Sequence, residues 1–155
     1  MPRLAILEDA KRRSARLTRG QREAVARLVA EVLGRRPEVV LGILFGGVLV
    51  EGKPVRDIDV AVYTGHRVAP EEWPVYVDEL RVELERALRA RLGLVKAVDV
   101  VVLEYVPPRL RAEVLRRGRV VVDRSPGLRG VLLLRALDEA RGLERTRASA
   151  GGRVG

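Results

Sequence analysis

Cysteine is absent from the chain. Disulfides and thiolate metal sites are therefore impossible, and a secreted scaffold stapled by disulfides is excluded. Asparagine is absent too, Gln21 is the single glutamine and Met1 the single methionine. That depletion of thermolabile types, beside a charged fraction of 33%, fits a thermophile; a GC-rich genome produces the same arginine, alanine, valine and glycine bias. Aromatic residues make up only 3%, too few for a surface that stacks bases along a single strand. No apolar run is long enough to cross a bilayer and no signal-peptide pattern opens the chain, so the expectation is a cytoplasmic protein.

What is present is one domain's worth of chain, 155 residues of which 47% are apolar, with a net charge of +9. Lysine is confined to Lys11, Lys53 and Lys96, so nearly all the positive charge is arginine. Clustered arginine attracts phosphate. Here the arginines are spread over the helical segments and interleaved with glutamate, as in Glu83-Leu84-Glu85-Arg86. A solvated, ion-paired surface explains much of that pattern, and the excess leaves a nucleotide, an RNA or an acidic protein as company.

The organising stretch is Leu41 to Tyr63, LGILFGGVLVEGKPVRDIDVAVY. It reads as an apolar strand, a Gly46-Gly47 break, a polar turn and a second strand opening on Asp57-Ile58-Asp59. Side chains alternate along a strand, so Asp57 and Asp59 share one face while Ile58, Val60 and Val62 take the other. Two carboxylates at the mouth of an apolar strand repel each other and lose hydration together, a cost that a divalent cation removes. A third, Asp99, interrupts the β-branched run Val98 to Leu103. Alone it reads as an edge-strand residue facing water; beside an Asp-x-Asp strand it reads as part of a shared site. An all-oxygen set of this kind describes magnesium rather than zinc or copper.

Gly46-Gly47, Asp57-Ile58-Asp59 and a lone later Asp99 together resemble the polymerase-beta-type nucleotidyltransferases. Within them they resemble most the minimal nucleotidyltransferases, small stand-alone domains often paired with a HEPN-domain partner. The resemblance covers roughly Val39 to Val122. It implies that Asp57 and Asp59 bridge two Mg2+ ions, and that Asp99 completes the catalytic metal site and helps deprotonate the attacking hydroxyl. It also implies that Gly46 and Gly47 hold the triphosphate of ATP through backbone N–H groups. The reaction implied is antitoxin-like transfer of an adenylyl group to a protein hydroxyl on a HEPN-domain ribonuclease toxin. The chain departs from the family where Gly47 stands for the usual serine, and where Val48-Leu49-Val50-Glu51 replaces a segment that often carries arginine. Two other readings stay open: a nucleotidyltransferase-fold protein with impaired catalysis that acts by binding a partner, and a basic RNA-binding domain.

Along the chain, Leu4 to Leu17 is helix-compatible, and Thr18-x-x-Gln21 resembles a capping box that starts a helix near Arg19 and ends it at Gly34. Leu4 to Gly34 is compatible with one bent helix or two. A strand covers Val39 to Phe45, Val48 to Val50 is read as able to continue as β structure, and Glu51 to Pro54 reads as a hairpin turn. Pro70-Glu71-Glu72 opens a helix closed by Gly93, with Trp73 and Tyr76 as packing anchors. A strand through Asp99 reaches about Tyr105, a short helix covers Arg109 to Arg117, Arg119 to Asp123 is a strand, and a last helix covers Leu128 to Arg145. The apolar run Val131 to Leu134 on that helix suggests burial on two sides or an oligomer interface. His66, the only histidine, is read as structural, and Asp123 as a turn residue. The expected fold is α/β (α+β), a small mixed β-sheet of about four strands flanked by helices. Residues 1–37 are expected as an N-terminal helical extension, 38–145 as the nucleotidyltransferase-like domain and 146–155 as a disordered tail.

Overall fold

The parallel pair at one edge of the sheet follows from what lies between its two strands. β2 (Asp57–Tyr63) leads into the helix α3 (Trp73–Leu92), which Gly93 closes in the left-handed conformation at φ 65°; β3 (Ala97–Val102) then runs beside β2. Two neighbouring strands of one direction need a crossover of about that length. In the computed structural model, which describes residues 2–151, β1 (Leu41–Phe45) pairs antiparallel with β2 on its other side. β4 (Arg119–Asp123) pairs antiparallel with β1, giving the order β3-β2-β1-β4. This is the mixed four-stranded α+β sheet expected, accompanied by α1 (Pro2–Arg12), α2 (Arg19–Gly34), α4 (Pro108–Arg117) and α5 (Leu128–Gly151).

Strand alternation sorts the side chains into two cores. Ile58, Val60 and Val62 with Val98, Val100 and Val102 face α2 and α3, where Val25, Val29, Leu33, Leu80, Leu84 and Leu88 meet them. On the opposite face Ala61 packs with Leu41, Ile43 and Leu103 under α4 and α5, against Leu115, Leu132 and Ala136. Each buried Leu, Ile or Val contributes about 1.5–3 kcal/mol, and both cores are dense in them. The second cover stops short of the start of β2, where Asp57 and Asp59 are half-buried and Asp99 is exposed. That uncovered end is what the fold offers for chemistry.

Between Pro2 and Gly34 there are two helices, not one bent one. Thr18 Oγ1 accepts the Gln21 N–H at 3.1 Å and the Thr18 N–H donates to Gln21 Oε1 at 2.8 Å, the reciprocal cap expected at the start of α2. Between α1 and α2 the chain is extended, because Ala15 and Val55 exchange two backbone hydrogen bonds of 2.9 and 2.8 Å. Val48 to Val50 does not continue β1. Gly46, at φ 76°, turns the chain out of the strand, and Gly46–Leu49 is a 3-10 turn that buries Val48 in the α2 core. α5 runs on to Gly151, past Arg145. Of its apolar run, Leu132 is buried and Leu133 partly so, whereas Val131 and Leu134 face outward, Leu134 being 70% exposed. Residues 152–155 of the expected tail lie outside the described residues.

The apolar stripe of α3 contains one carboxylate, Glu85, only 8% exposed. Its Oε1 accepts the Val98 N–H at 3.1 Å and its Oε2 meets Lys11 Nζ at 2.9 Å, so it joins α3, β3 and α1. Glu85→Ala leaves a buried N–H without an acceptor and is expected to cost about 2–4 kcal/mol. Thermal unfolding should show a fall in Tm of roughly 5–15 °C; an unchanged Tm would contradict this account of the junction.

Candidate active site at the open end of the sheet

Asp57 and Asp59 occupy the first and third positions of β2 and therefore project from one face. The parallel register sets Asp99 directly opposite Asp59, and Ala97 opposite Asp57. Adjacent strands lie roughly 4.8 Å apart, so Asp99 flanks Asp59 on the same face of the sheet. It sits on the edge strand and is open to water, but it is not isolated. Its charge acts on Asp59.

Asp59 shows what this gathering costs. Its carboxyl is pushed up from 3.8 to about 6, first by burial, then by the charge of Asp99 and then by that of Asp57, and among the described residues no hydrogen-bond donor or cation offsets them. Gly46 seats the group: a Cβ at that position would fall well inside van der Waals contact of Asp59 Oδ2, and the backbone there is left-handed besides. The absence of a side chain at Gly46 thus serves the carboxylate directly. Gly47 differs, since a Cβ added there meets nothing within 4 Å.

A cavity of about 240 Å³ opens between the starts of β2 and β3, lined by Arg56, Asp57, Ala97, Val98 and Asp99. Lys96, buried just before β3, donates to the Arg13 carbonyl and feels the charge of Asp57; burial lowers its affinity for a proton. Among the described residues, no three His, Cys, Asp or Glu side chains close around one point tightly enough to enclose a metal by themselves. The trio is an open arc of oxygen donors. Its donor chemistry and its uncompensated charge at Asp59 fit a hard divalent cation that takes its remaining ligands from water or substrate.

The other singled-out residues lie elsewhere. His66 is at the far end of β2, left-handed at φ 64°, its N–H donating to Glu104 Oε2 at 3.2 Å and its ring edge-on to Tyr63. Asp123 Oδ1 accepts the Ser125 N–H at 3.0 Å, a turn role as expected. Trp73 packs on Tyr105 with ring centroids 5.6 Å apart. Sequence reasoning missed Lys96 as a buried link between the site and the N-terminal segment, and Glu104 as the acceptor that holds the Thr64–His66 turn. A lysine directly before a strand of β-branched residues was the only signal for the first; nothing local marks the second.

Residues 28–127 match the family model described as Polymerase beta, Nucleotidyltransferase. No curated protein matches the chain. Among solved structures it is similar to a chain of the toxin–antitoxin complex MntA–HepT, with a TM-score of 0.63 at 20% identity, over 85% of this chain and 97% of that one. A second likeness is to the complex of a tri-AMPylated HEPN toxin with MNT antitoxin from Shewanella oneidensis, with a TM-score of 0.59 at 19% identity over 86% and 98%. A third is to a toxin–antitoxin structure with AMP-PNP, with a TM-score of 0.57 at 20% identity over 83% and 97%. The match spans the strands that carry all three aspartates and the Gly46-Gly47 turn, and on it the chain belongs to the polymerase-beta nucleotidyltransferase family.

Proposed function

We propose that this protein transfers an adenylyl group from ATP, with Mg2+, to a hydroxyl of a HEPN-domain partner. The observation that carries the reading is the arc of Asp57, Asp59 and Asp99 on one face of the sheet, with Asp59 under an electrostatic load that no described residue relieves. The family match supports nucleotide transfer. Adenylyl as the group and a HEPN protein as the acceptor are supported by the AMPylated toxin and the AMP-PNP complex among the similar structures.

In this reading Asp57 and Asp59 would hold the cations, and Asp99, beside Asp59 and open to water, would complete the catalytic metal site and help take the proton of the acceptor hydroxyl. Mg2+ held there would supply neutralisation of the polyphosphate charge and polarisation of the α-phosphorus. The acceptor oxygen bonds to that phosphorus as its bond to the oxygen bridging to the β-phosphate breaks, and pyrophosphate leaves. Gly46 and Gly47 present backbone N–H groups to the triphosphate. The test is incubation of the protein and a HEPN partner with ATP labelled on either the α- or the γ-phosphate. Label retained on the partner from the α-position alone supports adenylyl transfer. Label from the γ-position, or none, overturns it.

Gly47 also yields a gain-of-function expectation. Its Cβ position is open, so Gly47→Ser adds a hydroxyl without a clash. If the turn grips triphosphate, Gly47→Ser should lower KM for MgATP by roughly threefold to tenfold, the worth of one typical solvent-exposed hydrogen bond. An unchanged or higher KM would place the phosphates away from this turn.

A further inference from the structure

We propose that Arg56 is the cation that grips the polyphosphate of the incoming nucleoside triphosphate; this rests on the nucleotide-transfer reading above. The 3-10 turn that follows β1 supplies little for that task, because Gly46 to Val50 contains neither a hydroxyl nor a positive charge and Glu51 follows with a negative one; Lys53, further along, is exposed but is not among the residues lining the cavity of Asp57 and Asp99. Positive charge must come from elsewhere, and most nearby cations are engaged. Arg22 donates to the Val50 carbonyl at 3.1 Å and lies 3.8 Å from Glu51. Arg119 is held by both carboxylate oxygens of Glu23, at 2.8 and 3.1 Å. It pairs in register with Leu44, whose side chain belongs to the α2–α3 core, and so stands on the face away from the aspartates. Lys96 is buried and bonded to the Arg13 carbonyl.

Arg56 is different on each count. It lies immediately before Asp57, is exposed, takes part in no ion pair with a described residue, and lines the same cavity as Asp57 and Asp99. A guanidinium placed beside two carboxylates yet forming no salt bridge with either is free to meet an anion brought in from solution. A Mg2+-bound triphosphate brings both charges at once: the cation goes to the aspartates, and the phosphate oxygens left over need donors within a few ångströms of that cation. The planar fork of arginine matches such oxygens in pairs, which a lysine cannot do.

Calorimetric titration of the whole protein with MgATP and, separately, with adenosine tests this, using Arg56→Gln and Arg56→Lys. Arg56 is exposed, so both variants should melt as the wild type does. Arg56→Gln is expected to bind MgATP about tenfold or more weakly with adenosine affinity unchanged, and Arg56→Lys to recover part of the loss. In the transfer assay the loss should fall on KM more than on kcat. Wild-type affinity in Arg56→Gln overturns the assignment while leaving nucleotide transfer standing. An equal loss for adenosine also overturns it, because the contact would then be to the nucleoside. If the wild type itself binds no MgATP at millimolar concentration, both this assignment and the transferase reading fall.

Discussion

Asp59→Asn should cripple nucleotide transfer and make the protein more stable, two opposite effects of one substitution. The activity loss is expected to be roughly a thousandfold, the scale of removing a preorganised charge at the reacting centre. The stability gain follows from the raised carboxyl. An acid whose folded-state value lies near 6 against 3.8 is penalised in full above pH 6. The penalty fades as pH falls from 6 towards 3.8, because the folded protein then takes up a proton that the unfolded chain does not. Two pH units would be about 3 kcal/mol in a dry site; the group is half-buried, so screening by water reduces this to about 1–1.5 kcal/mol. Asparagine removes the penalty. At pH 7.5 the variant should melt roughly 3–5 °C above the wild type, and the difference should shrink or vanish by pH 4.5. A lower melting temperature for Asp59→Asn at pH 7.5 would mean that the carboxylate is satisfied by a partner inside the protein.

Gly46→Ala should damage both folding and transfer, and Gly47→Ala should be close to silent for folding. Alanine at 46 must adopt φ 76° and place its Cβ into Asp59 Oδ2. The backbone strain alone costs about 1–2 kcal/mol, and the clash is relieved only by displacing the Asp59 carboxylate or the turn. We expect a fall in Tm of roughly 5 °C and a loss of transfer of at least about a hundredfold, since a catalytic group moved by an ångström loses that much. The adjacent glycine has neither constraint, as its Cβ position is empty and its backbone is not left-handed. Comparing the two variants separates a seat for Asp59 from general flexibility of the Gly-Gly pair. Equal effects at both positions would contradict the seat.

The pairing of Asp57 and Asp59 on one face was legible because alternation along a strand is a local rule. The convergence of Asp99 was inferable from its place in a second β-branched run, and the parallel register opposite Asp59 supplies the distance. Gly46 was legible as special but for a different reason: a missing Cβ suggested approach to a phosphate, whereas the structure sets Asp59 against it. The break between α1 and α2 carries no proline or glycine from Arg13 to Leu17; it exists because Ala15 pairs with Val55, a partner far along the chain. Glu85 read as one more charge in a solvated helix, Glu83-Leu84-Glu85-Arg86, because only the tertiary fold brings the Val98 N–H to it. What local rules miss here is polar groups whose partners are distant in sequence.

Part of the arginine content is taken up in surface ion pairs. Arg35 and Arg91 both reach Glu31, at 2.7 Å each, and Arg36 bridges Glu38 and Glu83. Such pairs are each worth little at 25 °C and gain weight as networks at high temperature. This pattern supports a paired, solvated surface over a continuous basic stripe for RNA.

The account's central claim is that the three aspartates are an uncompensated cation site completed by nucleotide. Paramagnetic titration with Mn2+ in place of Mg2+, followed by its resonance signal with and without a non-hydrolysable ATP analogue, tests it most directly. The account predicts weak binding to the protein alone, binding tightened by roughly tenfold or more when the analogue is present, and loss of both in Asp59→Asn. Mn2+ binding that is equally tight in the wild type and in Asp59→Asn, or that ignores the nucleotide, would contradict it.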